Sequence, residues 1–370
     1  MLSVGQINLL VHLKRFAVAD QETCLLVLDS TKTQNKDKLL YSLRPLVKNG
    51  YTSRRADDLY GLLRKGAELV LHIKPILTAG GDVSGRKRVA EVSHMAALLG
   101  WNGIPTYASI PPGGQNGFIP SAIWRTLRHG LISTTRFLGV LIYSELQLAV
   151  YHIGNGDYDW QLRAECSLHY LGYGSPGTVL SGILLVCDDG CAVEIGKHII
   201  RRTLWGRKTL LKRGYDSNSK PVKYAKMPIR LRAEYRHVYL AEQSEIMDVL
   251  RLAEMDEIAF ERFRDRLDGE TAGNSDCECV HVADEDPYFG GDHHYLSLSR
   301  DLLYLTYFYN DVKYQRERLD DGSFERLHFS VYEHHIHLPE RYAEWGTFLK
   351  LPVTVYILTE EEIRCLTISG

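Results

Sequence analysis

Apolar and polar positions alternate with the period of an α-helix through the first 50 residues of the chain. Apolar side chains three and four positions apart predict helices over residues 4–16, 21–28 and 30–48. The third segment opens on hydroxyl side chains typical of a helix N-cap and closes at Asn49-Gly50. Two short strand-like runs, 51–55 and 59–63, follow around a polar turn. The pattern therefore predicts three helices and a β-hairpin.

Strands and helices are mixed in the rest of the chain. Glycine-rich residues 79–85 predict a linker, followed by a helix over 89–99. Strands are predicted at 136–143, 147–153, 179–187, 237–240, 327–336 and 353–358, and helices around 195–200, 244–267 and 300–311. This mixture predicts an α/β fold, with α+β as the alternative. Because 370 residues exceed one typical core, we expect a first domain at 1–78, an α/β domain at 79–240, and an α/β extension with an acidic loop at 241–370.

The charge of the chain is distributed in blocks. The formal net charge is only −2, but residues 1–88 hold fifteen Lys and Arg against eight Asp and Glu. Residues 197–236 hold thirteen basic against two acidic side chains, and residues 242–292 hold sixteen acidic against four basic. Two basic blocks and one acidic block indicate an electrostatic partner, either a polyanion or another part of the chain.

Cysteine usage and hydropathy predict the compartment. Seven cysteines, an odd number scattered mostly through apolar runs, are typical of reduced thiols. The N-terminus lacks a charged-then-apolar signal, and the longest apolar runs are far shorter than the roughly 20 residues of a membrane helix. We therefore expect a cytoplasmic protein without membrane contact.

Three helices followed by a basic hairpin are the order of elements in a winged helix-turn-helix. In that fold the third helix enters the DNA major groove and the hairpin reaches the backbone. Gln34 and Asn35 can read adenine with two hydrogen bonds, and the basic residues after them can contact phosphate. Pro45 argues against an unbroken third helix because it removes a backbone hydrogen bond. The predicted DNA-binding residues are Thr33, Gln34, Asn35, Lys36, Lys38, Arg44, Lys48, Arg54, Arg55, Arg64 and Lys65.

A second basic patch lies in the block 197–236. Paired basic residues with aromatic residues between them can follow a phosphate backbone. The alternative is that the patch pairs with the acidic block 242–292 of the same chain, and the sequence leaves both open. The patch comprises Arg201, Arg202, Arg207, Lys208, Lys212 and Arg213.

Three stretches resemble a known family. They are LVKNGYTSRR at 46–55, LYGLLRKGAEL at 59–69 and RFLGVLIYSELQLAVYHIGNGDYDWQLRAEC at 136–166. Together they resemble the replication-relaxation family of plasmids and integrative mobile elements, over about residues 1–200. The resemblance implies a winged helix ahead of an α/β domain related to restriction-type nucleases.

The residues for nuclease chemistry are missing at the matching places. Such nucleases hold a divalent metal with an acidic residue on one strand and Glu-x-Lys on the next. This chain has Phe118-Ile-Pro-Ser121 and Leu148-Ala-Val-Tyr151 there, so the resemblance implies a degenerate fold without the activity. Asp188, Asp189 and Glu194 are the carboxylates that an active nuclease would use instead.

Three functions are therefore open. The first is a non-catalytic protein of a plasmid or integrative element that binds double-stranded DNA in replication, mobilisation or their regulation, without metal or cofactor. The second is a metal-dependent nuclease acting on the element's DNA. The third is a scaffold whose winged helix binds protein, and the partners we expect besides DNA are mobile-element proteins and a second copy of the chain.

Overall fold

A computed structural model of the protein describes residues 2–29, 36–79, 81–111, 115–127, 137–144, 146–153, 182–202, 237–254, 294–297, 326–332, 339–349, 353–359 and 361. The chain divides into two compact units, Met1–His152 and Ile153–Gly370. Helices and strands are mixed in both, so the predicted α/β class is confirmed. No helix in the described ranges is long and apolar enough to cross a membrane.

Three helices open the first unit: α1 (Val4–Phe16), α2 (Gln21–Leu28) and α3 (Lys36–Lys48). The first two have the predicted bounds because local caps fix their starts. Ser3 and Gln6 form a reciprocal capping box on α1, and the Asp20 carboxylate caps α2. The predicted start of the third helix, residues 30–35, lies outside the described residues. Pro45 is inside α3, which nonetheless continues to Lys48.

The core of the first unit forms where these helices meet. Gly5 brings α1 close to α2, since a Cβ added there would lie 2.5 Å from the Leu28 carbonyl oxygen. Apolar side chains from all three helices pack together in one cluster, and burial of such side chains is the main favourable term in folding. They include Leu9, Leu10, Leu13, Cys24, Leu43 and Leu46.

A small antiparallel sheet lies beside the helices. It consists of β1 (Val18–Ala19), β2 (Thr52–Arg54) and β3 (Tyr60–Leu62), in the order β1-β3-β2. The predicted hairpin is β2–β3, but β1 was not predicted because two residues are too few to show a period. Gly50, at φ 71°, ends α3 before β2 as the Asn49-Gly50 signal predicted. A short helix, α4 (Arg64–Leu69), follows β3.

A long helix, α5 (Val83–Trp101), packs against α1, α2 and β1. The prediction of a linker over 79–85 and a helix from 89 was wrong at the helix start. Asp82 caps the helix by accepting from the Gly85 N–H at 2.9 Å. The last three residues of the glycine-rich segment, 83–85, therefore belong to the first turn of α5. The second half of α5 is buried on nearly every side, including Ser93 and His94.

The first unit continues with β4 (Gly117–Pro120), α6 (Ser121–Leu127), β5 (Gly139–Tyr143) and β6 (Leu146–Ile153). The three strands pair antiparallel in sequence order. β5 and β6 were predicted, and Ser144 takes a positive φ of 51° at the turn between them. β4 and α6 were missed because Gly117 and Pro120 are typical of loops, and β4 depends on its pairing with β5.

In the second unit, β7 (Gly182–Cys187) and β8 (His237–Glu242) pair in parallel, with α7 (Ala192–Arg202) after β7. A turn of 3₁₀-helix at Gln243–Glu245 leads into α8 (Ile246–Glu254). A parallel sheet contains β9 (His294–Ser297), β10 (Arg326–Tyr332) and β11 (Val353–Leu358), with β10 central. Helix α9 (Pro339–Leu349) packs Trp345 against Gly196 of α7. The helix predicted at 300–311 lies outside the described residues.

We predict that Gly5→Ala destabilises the first unit by about 1–3 kcal/mol, because the added methyl group meets the Leu28 backbone and not a movable side chain. Gly100→Ala is the matched control. Gly100 is helical, exposed and has no atom within 4 Å of an added Cβ, so alanine there should stabilise by about 0.5–1 kcal/mol. Urea unfolding of both variants measures the difference, and equal effects would contradict the close approach of α1 and α2.

Two histidines join α5 to α1 and α2. His12 Nε2 lies 2.8 Å from Ser93 Oγ, and His94 Nδ1 lies 3.0 Å from Thr23 Oγ1. Burial, together with the nearby charge of Arg15, lowers the pKa of His12 from its ordinary 6.5 to about 3. His12 is therefore neutral in the folded protein at neutral pH.

This shift predicts a pH dependence of stability. The unfolded chain binds a proton at His12 below about pH 6.5 and the folded chain does not until about pH 3, so the stabilising contribution is complete above pH 6.5 and is lost as pH falls toward 3. We expect His12→Gln to flatten the fall in unfolding free energy between pH 7 and pH 5. His72→Gln, at an exposed histidine, should leave the wild-type dependence unchanged.

Candidate nucleic-acid interface

The outward face of α3 is a polar stripe. Leu43 and Leu46 are buried, whereas side chains at spacings of three and four on the opposite side are exposed. This stripe runs along the whole helix from its first turn to its last. Its members are Asp37, Tyr41, Arg44 and Lys48.

Tyr41 lies in the middle of the stripe and is 70% exposed. The Arg44 guanidinium lies over its ring, 5.4 Å from the centroid, which is a cation–π contact. The two side chains therefore form one exposed aromatic and basic pair. Tyr41 was not among the predicted contact residues, although the helical period places it opposite Leu43 and Leu46 and could have identified it.

The hairpin β2–β3 presents two arginines. Arg54 pairs with Asp58 at 3.0 Å, and both side chains are exposed. The Arg55 side chain lies across the neighbouring strand at Gly61. A Cβ added to Gly61 would lie 3.1 Å from Arg55 Nη2. The turn between the strands is closed by the Arg55 N–H donating to the Leu59 carbonyl at 2.8 Å.

The start of α4 carries two further basic residues beside the end of α3. Lys65 Nζ donates to the Asn49 carbonyl at 3.1 Å and lies 4.5 Å from the Tyr51 ring centroid. Arg64 Nε donates to Glu68 at 2.9 Å, in a pair whose arginine is 94% exposed. An ion pair this exposed contributes at most about 1 kcal/mol, so a phosphate can replace the carboxylate.

The structure places eight of the eleven predicted DNA-binding residues, and all eight are exposed. Thr33, Gln34 and Asn35 lie outside the described residues. The eight lie on α3, the hairpin and the start of α4, which are consecutive in the chain and packed on one core. They are Lys36, Lys38, Arg44, Lys48, Arg54, Arg55, Arg64 and Lys65.

The second basic patch can be located only at its start. Arg201 and Arg202 form the last turn of α7. Its other members, Arg207, Lys208, Lys212 and Arg213, lie outside the described residues, as does most of the acidic block. The pairing of the two blocks stays a prediction.

The carboxylates of the nuclease alternative are engaged with other groups. Asp188 accepts from Gln243 Nε2 at 3.1 Å, and Asp189 accepts from both the N–H and the hydroxyl of Ser244 at 3.0 Å. Glu194 pairs with Lys197 on α7 at 3.1 Å. Within the described part of the chain, no three His, Cys, Asp or Glu side chains gather closely enough to hold a metal ion.

Comparison with known proteins adds no relative. No family model, curated protein or solved structure matches the chain. The resemblance to the replication-relaxation family therefore stays a prediction that rests on the quoted stretches.

The position of Asp189 predicts a structural role. Its carboxylate accepts two hydrogen bonds at the 3₁₀ turn that begins α8, and a lost helix cap costs about 1 kcal/mol. We expect Asp189→Ala to lower the unfolding free energy by about that amount and Asp189→Asn, which keeps an acceptor oxygen, to lower it less. Glu194→Gln, at an exposed carboxylate on α7, is the control and should have little effect.

Proposed function

We propose that the chain binds double-stranded DNA through a winged helix-turn-helix formed by α1, α2, α3 and the hairpin β2–β3. The protein then acts for a plasmid or integrative element, in replication, mobilisation or their regulation, without catalysing a reaction. The observation that carries the proposal is the exposure of all eight described basic residues on α3, the hairpin and α4. An α-helix fits the major groove, and a two-stranded ribbon beside it can reach the adjacent backbone.

The chemistry of this surface suits phosphate more than a protein partner. Among the residues that the structure describes, Arg54 and Arg64 pair with exposed acidic side chains of their own segments. Such pairs exchange easily with phosphate because water and salt already screen them. Arg44 beside Tyr41 adds a planar cation on the groove-facing helix, the residue type most used for guanine and for phosphate.

Exposed apolar side chains favour a second candidate, the protein-binding scaffold. Val4 and Ile7 on α1 are 69% and 46% exposed, and Leu69 and Leu71 after the hairpin are 53% and 72% exposed. A contiguous apolar surface can mark a protein contact, including a homodimer. This candidate explains the leucines but not the basic residues, so we rank it second. Nothing in the described residues favours the nuclease.

The full chain should bind duplex DNA with a strong dependence on salt. If about six phosphates are contacted, the logarithm of the binding constant should fall by about five units per decade of salt. Fluorescence anisotropy with a mixed-sequence duplex over a series of salt concentrations measures this slope. Binding that is undetectable at low ionic strength, or independent of salt, would sink the proposal and favour the scaffold.

Charge removal at the hairpin locates the interface. We expect Arg54→Ala combined with Arg55→Ala to weaken binding to all sequences and to reduce the salt slope by about two units. The matched control is Lys14→Ala combined with Lys74→Ala, which removes the same charge from α1 and from the segment after α4. If both double variants lose the same affinity, the effect is general electrostatics and the hairpin has no special role.

A further inference from the structure

An ion pair joins the turn of the hairpin to the first turn of α5, in addition to the pairing of β3 with β1 and the packing of Leu59 with Val18 and Ala90. Arg86, in the first turn of α5, donates from Nε to Asp57 Oδ2 at 2.7 Å and from Nη1 to the Gly81 carbonyl at 2.9 Å. Both ends of the guanidinium are therefore fixed. The partner Asp57 lies between Arg55 and Asp58, in the turn that joins β2 to β3.

This pair differs in environment from the other ion pairs of the surface. The side chains of Arg86 and Asp57 are only 20% and 9% exposed, against 54% and 78% for Arg54 and Asp58. Removing one partner of a buried pair leaves an uncompensated charge, whereas an exposed pair is replaced by water at little cost. The Arg86 hydrogen bond also lowers the pKa of Asp57, so its carboxylate is charged at neutral pH.

The ion pair adds a polar contact to a short hairpin. β2 and β3 have three residues each, β3 pairs on its other side with the two residues of β1, and Leu59 packs with Val18 and Ala90. The turn contains Asp58 at φ 62°, a left-handed conformation that is less favourable for residues other than glycine. A two-stranded ribbon of this size has little stability of its own.

We propose that Arg86 is a positioning residue, which holds Asp57 and thereby fixes the direction in which Arg54 and Arg55 reach the DNA backbone. This inference rests on the proposed function. In this proposal Arg86 acts through Asp57 and not on phosphate, since its side chain is only 20% exposed and donates to Asp57 and to the Gly81 carbonyl. The ligand of the positioned arginines is a pair of backbone phosphates beside the groove that holds α3.

Substitution of the acidic partner gives the sharpest test. Asp57→Ala removes a negative charge, so electrostatics alone predicts tighter DNA binding. The positioning role predicts weaker binding, by about tenfold, with a salt slope smaller by about two units because two phosphate contacts are lost. Asp58→Asn is the matched control. It removes the same charge from the same turn but frees Arg54, and asparagine tolerates the left-handed conformation, so binding should tighten or stay unchanged.

The basic partner has its own control in the next residue. Arg86→Ala and Lys87→Ala remove the same charge from the same turn of α5, and Lys87 is exposed. We expect Arg86→Ala to weaken binding about tenfold and Lys87→Ala about twofold. In a chain that already carries Arg54→Ala and Arg55→Ala, the two arginines that Arg86 positions are absent. Arg86→Ala should then reduce DNA affinity only about twofold further, as Lys87→Ala does. A general loss of folding would still reduce the affinity strongly in that chain.

Amide hydrogen exchange measures the local stability of the hairpin in the absence of DNA. The Arg55 amide, which donates to the Leu59 carbonyl, should exchange faster in Asp57→Ala and Arg86→Ala, while amides of α1 keep their protection. If Arg86→Ala fails to fold, Asp57→Ala carries the same test. Tighter or unchanged DNA binding by folded Asp57→Ala overturns the positioning role alone, whereas a wild-type chain that binds no DNA overturns this inference together with the proposed function.

Discussion

The packing of α5 is the constraint on which the first unit depends. Its second half is buried on nearly all sides, and the helix packs against α1, α2, β1 and β4. A helix so enclosed must satisfy its polar side chains internally, and Ser93 and His94 do so with His12 and Thr23. Arg86 and Arg88, near its exposed start, bond the hairpin turn and the Phe137 carbonyl before β5. One helix therefore determines where the small sheet and the antiparallel strands lie relative to the three-helix core.

Elements controlled by local chemistry could be predicted from the sequence, and those controlled by distant contacts could not. The bounds of α1 and α2 follow from caps within three residues of their starts. β5 and β6 follow from continuous apolar runs around a turn. In contrast, β4 is a strand of Gly117, Phe118, Ile119 and Pro120 that exists because β5 pairs with it. The start of α5 was misplaced because the glycines around it obscured Asp82, a cap of the same kind as Asp20.

The candidate interface also has features that the sequence predicts and features that depend on distant contacts. Exposure of the basic residues follows from the helical period and from the hairpin turn, so it could be expected from sequence alone. Tyr41 was not among the predicted contacts, although the helical period places it on the polar face, opposite Leu43 and Leu46. The pair of Asp57 and Arg86 could not be predicted, since 29 positions separate them and nothing local favours one arginine of Arg86-Lys87-Arg88 over another. The acidic residues after β7 were candidates for metal ligands, yet Asp189 lies against the 3₁₀ turn before α8, where the parallel pairing of β7 and β8 brings the ends of the two strands together.

Burial divides the charges around the hairpin into two groups with different roles. Arg54 with Asp58 and Arg64 with Glu68 are exposed pairs four residues apart, in which each partner remains hydrated. A polyanion gains counterion-release entropy when it displaces such a carboxylate, and the protein loses little. Arg86 with Asp57 is shielded from water, so the same displacement would leave a buried carboxylate without its cation. In the proposed complex, a ligand rich in phosphate would therefore exchange the outer pairs and leave the inner pair intact, and the surface would bind an anion without loosening the turn that carries it.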